Sequence, residues 1–165
     1  MVIRDFKDSD LDRMLEIWNA VVEDGIYFGA EIPFDRTSGT DYFHQLVRCC
    51  VAVDEDDRVI GLYTLSANNF GRAGHIGNAS YAVDEKHRGR HIGEALVRDS
   101  LMKAKEAGFR IMQFNAVLDQ NKRALHVYKK IGFTDLGTIP GGFRVKDGSY
   151  VDVHVLYYDL MTLIL

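Results

Sequence analysis

One thirteen-residue stretch, DEKHRGRHIGEAL from Asp84 to Leu96, constrains the fold of this chain more than any other segment. It joins a strand-like apolar segment to a helix, since apolar residues recur at helical spacing from Leu96 onward. A helix N-terminus presents unpaired N–H groups and about half a positive charge. Gly89 and Gly93 would let an anion approach this backbone closely. The stretch predicts a phosphate-binding strand–loop–helix unit, with an ordinary solvated connection as the alternative.

Length and charge exclude several classes of protein. The 165 residues suit a single domain over residues 1–165. A net charge of −4 argues against general nucleic-acid binding. The N-terminus is charged almost at once and no apolar run reaches the ~18 residues of a membrane span, so we expect a cytoplasmic protein without a membrane partner. The adjacent Cys49 and Cys50 cannot link distant segments, and they are interpreted as buried residues at the start of a strand.

The order of predicted elements is strand, two helices, three strands, helix, strand, helix and two strands. This order indicates a mixed α/β (α+β) sheet rather than a repeating βαβ pattern. Asp8 or Ser9 is expected to cap the first helix, and the second helix is expected over residues 40–48. The last two strands are FTDLGTIP and YVDVHVLYYDL, which flank a glycine-containing loop.

Two common nucleotide motifs fit the Asp84–Leu96 stretch poorly. A dinucleotide loop requires G-x-G-x-x-G, which is absent. A P-loop requires G-x-x-x-x-G-K-[ST], but the segment from Gly89 to Glu94 is followed by Ala95 and not by Lys. A mononucleotide-binding enzyme that uses the same helix N-terminus remains an alternative.

Two stretches resemble the signatures of the GNAT superfamily of acetyl-CoA-dependent N-acetyltransferases. The first is YAV at 81–83 with RGRHIGEAL at 88–96, and the second is NAV at 115–117 with NKRALHVYKKIGF at 121–133. The resemblance covers nearly the whole chain. It implies a GNAT-like acyl-CoA N-acyltransferase fold with a central, mostly antiparallel sheet flanked by helices, and acetyl-CoA as co-substrate.

The resemblance also implies a cofactor-binding set drawn from the strand, the loop and the later helix. This set is Tyr81, Ala82, Val83, Arg88, Gly89, Arg90, His91, Ile92, Gly93, Glu94, Asn121, Ala124 and Tyr128. By the same resemblance, the strand backbone binds the pantetheine and the Val83 N–H polarises the thioester carbonyl.

The family pattern [Gln/Arg]-x-x-Gly-x-[Gly/Ala] can be placed on the loop in two registers. It fits residues 90–95 without exception, or residues 88–93 with His91 in place of the first glycine. We favour the second register, because Leu96 then takes the apolar helix position three residues after Gly93. We therefore expect His91 to lie beside the diphosphate.

Tyr128 is the expected general acid toward the CoA sulfur. It shares a helix face with Asn121 and Ala124, so its phenol could point at the pantetheine thiol. The alternative is a core aromatic whose hydroxyl is satisfied. Asn121 either binds the pantetheine or caps its helix. Asn115 either holds a water or the acceptor, or makes a cross-strand hydrogen bond.

A general base would help to deprotonate the amine. Glu31 is the catalytic candidate that we commit to, beside Asp35 in the same loop and Asp152 and His154 on the last strand. The alternative for each is a solvated or paired surface group. The histidines show no metal-ligand spacing, so no metal is expected.

The predicted function is direct transfer of the acetyl group of acetyl-CoA to a primary or secondary amine of a small molecule, such as an amino acid or imino acid. The alternative is a non-catalytic module that binds or senses acyl-CoA. The last strands often pack across a dimer in this family, which allows a homodimer, and their alternation suits a monomer equally well.

Overall fold

A computed structural model describes residues 1–163 of the chain. Its helices and strands follow the predicted order: β1 (Val2–Asp5), α1 (Leu11–Asp24), α2 (Arg36–His44), β2 (Arg48–Val53), β3 (Val59–Ala67), β4 (Ile76–Val83), α3 (Ile92–Glu106), β5 (Ile111–Leu118), α4 (Lys122–Ile131), β6 (Thr134–Arg144) and β7 (Tyr150–Asp159). Within this described part, no helix is both long and apolar enough to cross a bilayer.

The seven strands form a single sheet in the order β1-β2-β3-β4-β5-β7-β6. Five of the neighbouring pairs are antiparallel, and β4 with β5 is the parallel pair. The prediction of a mixed, mostly antiparallel sheet flanked by helices is confirmed.

Each face of the sheet carries its own hydrophobic core. On one face α1 buries Met14 and Trp18 with the strand residues Val51 and Leu62. On the other face α3 packs residues such as Leu96 against the opposite side of the same strands. Successive side chains of a strand point to opposite faces, so the adjacent Cys49 and Cys50 enter different cores. Both cysteines are buried, as predicted.

The two N-terminal helices begin elsewhere than predicted. The second helix was expected over residues 40–48 but spans Arg36–His44, because the Asp35 carboxylate accepts a hydrogen bond from the Ser38 N–H at 2.7 Å and caps it there. Residues 8–10 form a 3-10 turn ahead of α1, so neither Asp8 nor Ser9 is the residue preceding that helix. Asp10 takes this position and is buried.

Strand β6 is longer than predicted and runs past Pro140 to Arg144. Its register with β7 shifts twice, between Asp135 and Gly137 and between Ile139 and Phe143. These bulges let the strand continue through a proline and a glycine pair that indicated a loop.

Candidate functional site

A cleft opens in the middle of the sheet, where β4 and β5 stop pairing. Their parallel register covers Ile76 with Ile111 and Gly77 with Met112. Beyond these positions, cavities separate the two strands. The first has a volume of about 280 Å³ and is lined by the end of β4, the loop after it, the start of α3 and one face of α4.

The backbone of β4 turns hydrogen-bonding groups toward this cleft. The Asp84 N–H donates to the Ile60 carbonyl at 2.9 Å, and Ile76 accepts from Asn68 at 2.7 Å, so the even-numbered residues face β3. Alternate residues of an antiparallel strand face opposite neighbours. Tyr81 and Val83 therefore direct their backbone groups to the open side, as the prediction for the pantetheine-binding strand requires.

The loop after β4 ends in a left-handed residue at the start of α3. His91 is the residue before the helix and has φ of 59°, a conformation that glycine adopts most easily. This conformation supports the register that puts His91 in the family's glycine position. A Cβ on Gly93 would meet no atom within 4 Å, so the first turn of the helix is open.

Ten of the thirteen residues in the predicted cofactor set line the first cavity, and Arg90, His91 and Glu94 do not. The side chain of His91 is 84% exposed, and its Nδ1 lies 3.9 Å from a carboxylate oxygen of Glu94. Glu94 instead ties α3 to α4, accepting from Lys130 at 2.8 Å and from Arg98 at 2.9 Å. The hydrogen bonds from Lys130 and then Arg98 lower the pKa of Glu94 to about 2.

Tyr128 stands where the first cavity meets a second one of about 430 Å³. It packs against Phe114, with ring centroids 4.8 Å apart. Burial raises the pKa of the Tyr128 phenol, so the hydroxyl holds its proton at neutral pH. The structure thus brings Tyr128 together with Tyr81 and Asn121, which line both cavities as well.

Each of the two candidate asparagines makes a hydrogen bond of the structural kind that was considered as an alternative to a role in binding or catalysis. Asn121 caps α4 by accepting from the Ala124 N–H at 3.1 Å, while it also lines both cavities. Asn115 exchanges side-chain hydrogen bonds, at 2.6 and 3.1 Å, with Asn68, which directly follows β3. Asn115 still borders the second cavity.

The second cavity carries no charged side chain on the residues described as its lining. Aromatic rings form much of its wall, including Trp18, Phe28 and Phe143, together with the polar groups of Ser80 and Asn115. A neutral, partly aromatic site of this kind suits a small organic acceptor.

The predicted base candidates lie outside both cavities. Glu31 accepts a hydrogen bond from Arg144 at 2.6 Å and lines a third cavity next to the second. Asp35 caps α2, and the Ser38 hydrogen bonds lower its pKa. Asp152 accepts from the Gly141 N–H at 2.9 Å.

His154 is held between two carboxylates. It contacts Asp119 at 3.0 Å and Asp135 at 2.7 Å. Its pKa is raised, chiefly by the hydrogen bond to Asp119 and further by Asp135. A histidine that keeps its proton in this way is a poor base, so the geometry favours a structural role.

Several contributors to the site were missed from the sequence. Val21 lines the first cavity without belonging to either motif, and Arg123 lines it from within the second motif although it was not in the predicted set. His87 also lines this cavity, and its Nδ1 lies 2.7 Å from an Asp84 carboxylate oxygen that accepts from Arg13 at 2.6 Å. The Asp84–His87 spacing of three residues could have indicated that pair.

Comparison with known proteins gives matches over most of the chain. Residues 12–133, more than half of it, match the acetyltransferase (GNAT) family. N-acetyltransferase aca1 of Schizosaccharomyces pombe is 25% identical over 174 residues, covering 95% of this chain and 83% of that protein. L-amino acid N-acetyltransferase AaaT of Escherichia coli is 29% identical over 123 residues, covering 74% of this chain and 72% of that protein.

The fold is shared with solved structures as well. The yncA protein of Salmonella typhimurium, solved with its cofactor acetyl-CoA, superposes with a TM-score of 0.90 at 21% identity, covering 100% of this chain and 96% of that one. The predicted GNAT-like fold is confirmed by this likeness. With the family match over residues 12–133, the comparisons show that the chain belongs to the acetyltransferase (GNAT) family.

Proposed function

We propose that this enzyme transfers the acetyl group of acetyl-CoA directly to the amine of a small molecule. The observation that carries the proposal is the position of Tyr128 between two cavities. One cavity has the free backbone edge of β4 and the open N-terminus of α3, which suit a pantetheine and a diphosphate. The other is uncharged on its described lining and suits the acceptor.

In this mechanism the chain positions both substrates and moves one proton. The Val83 N–H polarises the thioester carbonyl, and the neutral amine attacks the carbonyl carbon. The C–N bond forms and the C–S bond breaks, while the nitrogen releases its extra proton to water, from which Tyr128 later regains the proton that it donates. Tyr128 donates its proton to the leaving thiolate, for which its raised pKa keeps it in the acid form.

The amine loses its proton to water, because the described lining of the acceptor cavity has no carboxylate or imidazole. Asn115 and Ser80 are placed to hold such a water. Glu31 as general base remains a prediction that its position beside Arg144 does not favour.

An amino acid or imino acid is the acceptor class that we infer. AaaT, which is 29% identical over 123 residues, is named for L-amino acids. The uncharged lining supports the same class, since a polyamine would find no carboxylate there.

A thiol-release assay with acetyl-CoA and a panel of amino acids, polyamines and other amines tests this function. We expect turnover with amino acids, and a loss of kcat of about 100-fold or more in Tyr128→Phe, with acetyl-CoA binding retained by thermal shift. Binding of acetyl-CoA without turnover on any amine would instead establish the non-catalytic module. A thermal shift with ATP but none with acetyl-CoA would point to a nucleotide enzyme.

We further infer a homodimer in the cytoplasm. The edge strand β6 and the adjoining end of β7 expose Leu136, Ile139 and Tyr150. Such apolar exposure on an unpaired edge favours association. Sedimentation velocity across a range of concentrations tests the dimer, and a monomer at all of them would exclude it.

A further inference from the structure

A third cavity, of about 650 Å³, adjoins the acceptor cavity on the side away from the cofactor loop. It lies between the connection from α1 to α2 and the hairpin of β6 and β7. Phe28, Gly29, Ala30 and Phe143 line both cavities, so a small molecule in the acceptor cavity can extend into this one.

The third cavity supplies the charge that the acceptor cavity lacks. Among its lining residues are the acids Glu23 and Glu31 and the cations Arg144 and Lys146. Lys146 is already engaged: its ammonium donates to the Glu23 carbonyl at 2.8 Å. Its stem lies so close to Gly25 that a Cβ there would come within 2.8 Å of the Lys146 Cβ. Arg144 is therefore the cation with capacity for a ligand.

Arg144 uses one nitrogen in its contact with Glu31. Its Nη2 donates to Glu31 Oε1 at 2.6 Å. The two side chains are 56% and 74% exposed, so solvent screens the pair and little is lost when it separates. A guanidinium can bind both oxygens of a carboxylate with two parallel hydrogen bonds, which is a stronger arrangement than this single contact.

We propose that Arg144 binds the carboxylate of the acetyl acceptor and that Glu31 occupies the guanidinium until the acceptor arrives. The acceptor amine then lies toward Tyr128 and its carboxylate toward the β6–β7 hairpin. This inference rests on the proposed function and narrows its acceptor to amines that carry an anionic group. It also gives Glu31 the role of an exchangeable partner in place of a base.

Arg144 makes the site selective, and Glu31 weakens the binding of every carboxylate that has to replace it. An amine without a carboxylate leaves the Glu31–Arg144 pair in place and gains nothing from it. An amino acid replaces one ion pair with a better one, so its binding is favoured over that of its uncharged analogue.

The test compares a series of L-amino acids with their carboxamides in the thiol-release assay. For Arg144→Gln we expect KM for the amino acids to rise about tenfold or more, with KM for the amides within twofold and kcat for both unchanged. Arg144→Lys keeps the positive charge but cannot form two parallel hydrogen bonds to a carboxylate, so it should give an intermediate KM for the amino acids. Arg48→Gln is the matched control, since Arg48 pairs with the exposed Asp5 at 3.0 Å and lines neither cavity.

The variant Glu31→Gln tests independently whether the acceptor carboxylate replaces Glu31 on Arg144. Removing the competing carboxylate should lower KM for amino acids about two- to fivefold and leave kcat unchanged. A large fall of kcat in this variant, with a shifted pH profile, would make Glu31 the general base and overturn the proposal.

The proposal is also overturned if Arg144→Gln raises KM equally for amino acids and amides, or for neither. Failure of the proposed function itself would look different. The wild-type protein would then bind acetyl-CoA but would release no thiol with any amino acid or amide, and the proposed carboxylate site would be excluded as well.

Discussion

The cofactor cavity and the acceptor cavity share Tyr81, Asn121 and Tyr128, yet they are built in different ways. The first is formed by a strand, a helix N-terminus and a helix face that follow one another along the chain. The second depends on the α1–α2 connection and the β6–β7 hairpin, which exposed ion pairs and hydrogen bonds hold together. The cofactor cavity is thus built from segments close in sequence, whereas one wall of the acceptor cavity comes from two loop regions far apart in the chain.

A core truncation under the cofactor loop should have the largest effect. Leu96 is fully buried where α3 meets the sheet. Leu96→Ala should lower the free energy of unfolding by about 2–5 kcal/mol, because it leaves a cavity in packed surroundings. Urea denaturation measures the loss. Ile32→Ala, in the α1–α2 connection and 80% exposed, is the control and should change stability by less than about 0.5 kcal/mol. Equal losses of unfolding free energy in the two variants would contradict the view that the cofactor cavity rests on core packing and the α1–α2 connection does not.

The helix cap shared by the two cavities should come next. Asn121→Ala removes the acceptor for the Ala124 N–H and should cost about 1 kcal/mol of stability. If Asn121 also binds the pantetheine, the midpoint shift on adding acetyl-CoA will shrink as well. Asn121→Asp, which can still cap, separates the two roles. If acetyl-CoA raises the thermal midpoint of Asn121→Ala as much as that of the wild type, Asn121 only caps the helix and does not bind the pantetheine.

His91→Gly sharpens the description of the cofactor half. Relief of the left-handed conformation is worth about 1–2 kcal/mol, and the greater freedom of glycine in the unfolded chain offsets part of it, so we expect a net gain of about 0.5 kcal/mol. Acetyl-CoA affinity should fall in this variant if the His91 side chain contacts the diphosphate. Unchanged affinity in a calorimetric titration would show that His91 lies away from it.

The smallest effect is expected at His154, in the C-terminal hairpin. Its folded pKa is raised above the ordinary 6.5 by Asp119 and Asp135. The stabilisation is therefore complete below about pH 6.5 and is lost as the pH rises through the raised value. His154→Gln should lower the free energy of unfolding by a few tenths of a kcal/mol more at pH 6 than at pH 9, as measured by urea denaturation at the two pH values. A larger loss at pH 9 would mean that the imidazole contributes in its neutral form.

Most residues of the predicted cofactor set line one cavity, and the sequence could group them because its signals are local. The Gly89–Gly93 loop, the apolar phase from Leu96 and the Tyr128 helix lie within one continuous stretch. The acceptor half depends on contacts that no local pattern contains: Glu31 and Arg144 lie 113 residues apart. The predicted position of α2 was wrong by four residues. The residue that caps this helix, Asp35, lies in a stretch whose glycines and aromatics indicated a loop.

Because β4 and β5 stop pairing beyond Gly77, the backbone amides of β4 are of two kinds. The N–H groups of β4 that face β3 are hydrogen-bonded in the ladder between the two strands, whereas those of Tyr81 and Val83 face the side where β4 no longer pairs with β5. A bound pantetheine would act as a temporary neighbouring strand for them. Hydrogen–deuterium exchange at these two amides should therefore slow on ligand binding while the ladder amides beside them change little, so that the sheet itself reports occupancy of the cleft.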